Sequence, residues 1–205
     1  MKVSVIIPYR KDRGWLNQAI ASVEYQTYKD VELIVSQGDC GVSKNLNKGI
    51  NASSGELIKY LCDDDMLSKD SIEKSVKAFK GEIDFIHGKA MEFRGDVVST
   101  GNIYTPLVKN LNLNNMLKYN YIHGGSLMYR REVFDEVGMF NETLWTGEEY
   151  ELNLRLLHAG KRCAYVDEVL YYYRRHGLQK SIGNKDKIYQ DLRKKQIETI
   201  RSWYR

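Results

Sequence analysis

Proline is almost missing from this chain: Pro8 and Pro106 are the only two in 205 residues, and no low-complexity stretch appears. Composition therefore marks no linker, and the length is that of one domain. Cysteine is scarce and odd in number, at Cys40, Cys62 and Cys163. That spacing fits no zinc pattern and no disulfide framework, so the expected setting is reduced and cytoplasmic. No apolar run reaches the ~18 residues that a spanning helix needs. The opening run Val3–Ile7 stops at Pro8; it is too short for a signal peptide and reads as a strand. Excess charge of one sign is also lacking over most of the chain. The formal charge is +4, and residues 185–205, with seven basic and three acidic side chains, account for all of it. A neutral body excludes a general nucleic-acid-binding surface.

What is present is a globular composition, 42% hydrophobic and 28% charged, in an ordered alternation of two periods. Val3–Ile7, Val31–Val35, Leu57–Leu61 and Ile83–Ile86 are short apolar, β-branched runs that read as strands. Between them, residues 14–26, the segment around Leu46 and Ile50, and residues 70–80 carry apolar side chains at helical spacing. Alternating strands and helices predict an α/β fold with a mostly parallel sheet covered on both faces. Such a sheet binds ligands beyond the carboxyl ends of its strands. The alternation breaks after residue 90. A β-like piece at Ser126–Tyr129, a short helix at Arg131–Val137, a helix over 147–159 and a strand at Arg162–Val166 follow. Residues 185–204 read as an amphipathic basic helix with Ile188, Leu192, Ile200 and Trp203 as its apolar positions. Such a helix either packs on the domain or lies on an anionic membrane surface.

Asp63, Asp64 and Asp65 follow the third strand without a break. Clustered carboxylates repel, and a divalent cation with oxygen preference, Mg²⁺ or Mn²⁺, holds them together. A solvated acidic turn is the competing reading. Glu148 and Glu149 form a second acidic pair where a helix begins, a place that favours carboxylates in any protein. His176 follows three tyrosines and two arginines; it is either a site residue or a surface histidine. Gly124-Gly125, after His123, marks either a close backbone approach or a plain turn.

The ordered set of segments is more specific than any one of them. Val5–Tyr9, Gly41–Ser43, Asn47–Ile50, Ser54–Ile58, Leu61–Asp65, Gly125–Arg131, Glu136–Phe140, Gly147–Leu156 and Tyr173–His176 together resemble a family 2 glycosyltransferase of the GT-A fold, over roughly residues 3–180. The resemblance implies one compact domain with a Rossmann-like, mostly parallel sheet, divided into a nucleotide-binding half (1–90) and an acceptor half (91–180), with 181–205 as the terminal helix. It implies an inverting, metal-dependent transfer of a sugar from a nucleotide diphosphate, UDP favoured, to a hydroxyl of a glycan, lipid-linked or protein acceptor.

The same resemblance distributes roles. Asp64, Asp65 and His176 are expected at the metal, Asp63 and Asp64 at the donor. Pro8, Tyr9, Arg10, Ser36, Gln37 and Lys44 are expected around the nucleotide. Glu149, seconded by Glu148, is expected as the base that takes the acceptor proton. Three departures stand out: Cys62 where many relatives have an aspartate, Glu149 for the usual aspartate, and Ser36-Gln37 where relatives read uracil with an aspartate. They keep open a non-catalytic sugar-nucleotide or glycan binder. A nucleotidyltransferase would need a glycine-rich phosphate loop after the first strand, and Pro8-Tyr9-Arg10-Lys11-Asp12 is not one.

Overall fold

In the computed structural model, which describes residues 1–98, 101–177, 179 and 187–205, the first strand is the central organiser. β1 (Val3–Tyr9) lies between β2 (Val31–Gln37) and β3 (Leu57–Tyr60), parallel to both. Its β-branched side chains alternate between the two faces. Val3, Val5 and Ile7 enter one core with Ala19 and Val23 of α1 (Leu16–Glu24) and Ile72 of α3 (Ser71–Ala78). Ile6 enters the other with Leu46 and Ile50 of α2 (Val42–Asn51). A strand buried on both faces is apolar at nearly every position; the exception here, Ser4, is satisfied by donating its hydroxyl to Glu32.

The rest of the sheet is mixed. β4 (Met66–Leu67), β5 (Phe85–Phe93), β6 (Ile103–Tyr104), β7 (Met128–Arg130) and β8 (Cys163–Arg174) complete the order β2-β1-β3-β7-β5-β8-β4, with β6 on the edge of β5. β7 runs antiparallel to both β3 and β5, and β8 runs parallel to β5. Five strands thus share one direction, β1, β2, β3, β5 and β8, with β7 inserted against them. The expected strand at Ile83–Ile86 runs on to Phe93, and the one expected at Arg162–Val166 continues through the three tyrosines to Arg174, with a register shift opposite Lys89.

Residues 90–125, which show no readable pattern in sequence, contain β6 and α4 (Leu113–Lys118) and lead into a 3-10 turn at Gly124–Ser126. α5 (Glu132–Val137) and α6 (Glu148–His158) follow. The last helix, α7 (Lys187–Ser202), packs on the domain; the expected start at 185–186 lies outside the described residues. Its inward stripe differs from the expected one. Ile200 is buried and Ile197 and Tyr204 lie against the core, whereas Ile188, Leu192 and Trp203 are 69%, 54% and 47% exposed. A Cβ on Gly147 would stand 2.8 Å from Ile197, so a glycine ahead of α6 lets α7 approach. Among the described residues no helix is long and apolar enough to cross a membrane.

Candidate active site

The carboxyl ends of β1 and β3 point to a cavity of about 800 Å³. One wall is Pro8 and the acidic turn Cys62–Asp65. The 3-10 turn, backed by Tyr60 and Tyr171, forms the second. The first turn of α6, with Glu148 and Glu149, forms the third, and α7 covers it with Arg193, Lys194 and Arg201. Both acidic clusters singled out from the sequence therefore face one space.

Asp65 is the anchor of its turn. Its Oδ2 accepts from the Tyr171 hydroxyl at 2.5 Å and its Oδ1 from the Arg174 N–H at 2.8 Å. Burial, with Asp64 alongside, pushes this carboxyl well above the usual range, and burial keeps the Tyr171 phenol protonated as the donor. Arg174 is itself buried. Its Nε donates to the Asp64 carbonyl at 2.7 Å, its Nη2 to Gln18 at 2.5 Å, and it stacks on Phe93. It fixes the backbone of the acidic turn and neither solvates the surface nor offers its fork to a phosphate.

Asp64 and Asp63 are nearly as enclosed but aim their carboxylates outward. The Nε2 of His176 lies 3.0 Å from Asp64 Oδ2, and the ring rests against Trp15 with centroids 4.4 Å apart. Arg13 reaches the same oxygen at 3.0 Å and Asp63 Oδ1 at 2.7 Å. Burial raises the Asp63 carboxyl against the pull of Arg13. The Cys62 sulfur and the Asp64 and Asp65 oxygens lie within 4.8 Å of one another. Burial pushes the thiol well up, and a thiol suits softer metals than carboxylates do. The carboxylates and imidazole that remain suit a hard divalent cation such as Mg²⁺ or Mn²⁺.

Across the cavity, Glu148 and Glu149 open α6, at the positive end of the helix dipole. Glu149 lies against the glycine pair. A Cβ on Gly124 would stand 2.4 Å from the Tyr60 hydroxyl and 3.2 Å from the Glu149 Cγ, and one on Gly125 would enter the Tyr171 ring. The glycines are therefore required by neighbouring side chains at the cavity wall. Lys59, wholly buried in β3, holds that turn from behind, donating to the carbonyls of Gly125 at 3.0 Å and Leu127 at 3.2 Å. His123 lines the same wall beside Tyr173, and burial together with Arg175 brings its pKa down to about 4.

A second cavity of about 400 Å³ adjoins the first, with Pro8, Arg13, Val42 and Asp63 common to both. Tyr9 and Arg10 line it, as do Gly38 and Asn45. Ser36, Gln37 and Lys44, expected here, line neither cavity. Ser36 is buried, Gln37 is exposed, and the loop meets the space two residues later. Asn45 sets that loop by donating to the carbonyls of Tyr9 at 3.2 Å and Gly38 at 2.8 Å. Arg13, Asn45, Lys59 and Arg174 are the contributors not assigned from sequence. Only Lys59 carries a signal there, as a charge inside an apolar run.

With this geometry in place, likeness to known proteins becomes informative. Residues 35–138, just over half of the chain, match the family model described as glycosyl transferase family 2. A protein of Rickettsia felis named as an uncharacterized glycosyltransferase is 26% identical over 221 residues, covering 89% of this chain; the chain spans only 36% of that relative's length. Among solved structures, S. aureus TarS 1–349 in complex with UDP-GlcNAc superposes with a TM-score of 0.68 at 17% identity, covering 86% of this chain and 59% of that one. A mannosyltransferase from Pyrobaculum calidifontis in complex with GDP-Man and Mn²⁺ gives 0.62 at 14% identity, covering 83% and 56%.

Proposed function

This chain belongs to glycosyl transferase family 2 and has the GT-A fold, and from that membership we infer that it transfers a sugar, with inversion, from a nucleoside-diphosphate sugar to an acceptor hydroxyl. One observation carries the reading: the acidic turn after β3 and the acidic pair opening α6 face each other across one cavity. The small cavity takes the nucleoside, Asp63 and Asp64 lie where the diphosphate would pass, and the large cavity takes the sugar and the acceptor. A divalent cation held by Asp64 and His176, with Asp65 bracing the turn, would supply the positive charge that offsets the leaving diphosphate. Glu149 receives the acceptor hydroxyl proton as that oxygen attacks the anomeric carbon from the side opposite the leaving group. The bond to the diphosphate breaks, and the anomeric centre inverts. Tyr60, whose phenol burial and Glu149 both push up, stays neutral beside the base.

The UDP-GlcNAc held by S. aureus TarS favours a UDP-sugar, and the Mn²⁺ of the Pyrobaculum calidifontis mannosyltransferase favours a cation of that kind. For the acceptor, a membrane-held molecule fits the outward stripe of α7 and its basic charge.

Glu149→Gln tests the base. Transfer should fall by about 10²–10⁴-fold, the usual contribution of a general base, while the thermal shift produced by UDP with Mn²⁺ is retained. Unchanged turnover removes Glu149 from the chemistry. Thermal-shift screening against UDP, GDP, dTDP and CMP, each with and without Mn²⁺, tests the donor, since a ligand specific to the folded form raises its stability.

A further inference from the structure

Arg13 stands in the loop between β1 and α1, and its Nη2 bridges Asp63 and Asp64 at 2.7 and 3.0 Å. This is no ordinary surface pair. The two carboxylate side chains are only 12% and 11% exposed, and the arginine 30%. The guanidinium shares its Asp64 oxygen with His176, so it sits at the carboxylate that the proposed donor reading gives to the cation. Arg13 and Asp63 also lie at the junction of the two cavities, where a diphosphate would run from nucleoside to sugar. A guanidinium fork fits phosphate oxygens as well as it fits carboxylates.

We propose that Arg13 is a resident counter-cation that holds Asp63 and Asp64 until donor and metal arrive together, and then transfers its fork to the diphosphate. Two carboxylates against one guanidinium leave one negative charge in excess. A divalent ion arriving alone reverses that sign and meets the arginine as a competitor. An ion arriving with a diphosphate restores the excess, and gives the displaced guanidinium a new partner. Metal and donor therefore bind with positive coupling, and the metal alone binds weakly. The inference rests on the donor reading above.

The experiment is isothermal titration of the full chain with MnCl₂, with and without saturating UDP, on the native sequence, Arg13→Met and Arg13→Lys. In the native protein UDP should tighten Mn²⁺ binding by roughly tenfold, within the range of ordinary coupling between sites. Arg13→Met should bind Mn²⁺ alone roughly tenfold more tightly than the native protein and lose most of the coupling to UDP. Arg13→Lys retains the charge and should keep Mn²⁺ alone weak. Folding of each variant is checked by its thermal transition; if Arg13→Met does not fold, the native coupling and Arg13→Lys decide. Equal Mn²⁺ affinity in native and Arg13→Met, tight binding of the metal alone in Arg13→Lys, or absence of coupling in the native protein overturns the counter-cation. If the native protein binds neither UDP nor Mn²⁺ with UDP, it is the donor reading that falls first, a distinct result.

Discussion

Lys59 is the residue that most contradicts its surroundings. It sits wholly buried in β3 and has only two carbonyls as partners among the described contacts. Burial brings its pKa from 10.5 down to about 7. Between those values the unfolded chain holds a proton that the folded chain releases, so stability rises with pH across that window. Below pH 7 both states are protonated, and the full cost of burying the charge is present. The expected gain is up to about 1.4 kcal/mol per pH unit, and Lys59→Met should lack it. Urea unfolding of both proteins from about pH 7 to 8.5 checks this, and parallel slopes would refute it. At the same scale, the legible site residues were those whose chemistry has few other uses. Three adjacent aspartates and a glutamate pair are conspicuous in sequence. Arg13 is not, since a loop arginine reads as solvated until the fold brings it to residues fifty positions away. Arg174 reads in sequence as a phosphate partner or as surface charge for the same reason.

Among the elements, α7 shows how a helical stripe is misread. Ile188, Leu192 and Trp203 lie along one side by spacing, but the domain takes the other side, with Ile197, Ile200 and Tyr204. Interior contacts reward the side that meets Gly147, and sequence periodicity alone does not say which stripe that is. An exposed apolar stripe on a basic helix is the pattern of a helix lying in a bilayer interface. Vesicles of phosphatidylglycerol should therefore co-sediment the protein, and neutral phosphatidylcholine vesicles should not. The triple change Ile188→Ser, Leu192→Ser and Trp203→Ser should release it without altering its thermal transition. Binding that is equal for both lipids, or unaffected by the triple change, rejects the membrane contact. β7 was readable only as a β-like piece. Three residues carry too little pattern to reveal that they run against their neighbours.

For the whole molecule, the alternating periods of the first ninety residues were enough for the α/β class and for the sheet edge at which the large cavity lies. They did not give the antiparallel insert or the long β8, because pairing between distant segments leaves no local period. Acid should probe this assembly. Burial brings the pKa values of His87 and His123 down to about 4. From pH 6.5 towards 4 the unfolded chain takes up protons that the folded chain refuses, so stability is lost as pH falls, by up to about 1.4 kcal/mol per pH unit for each histidine. Thermal unfolding across this range should show the decline, and His87→Gln should flatten it; an unchanged slope would exclude His87 as a source.

Asp65 precedes both groups that grip it, the Tyr171 hydroxyl and the Arg174 amide, by more than a hundred residues. A nascent chain that has released β1 to β3 from the ribosome thus owns the acids without the means to aim them. The acidic turn takes its aim only once β8 has slid into place.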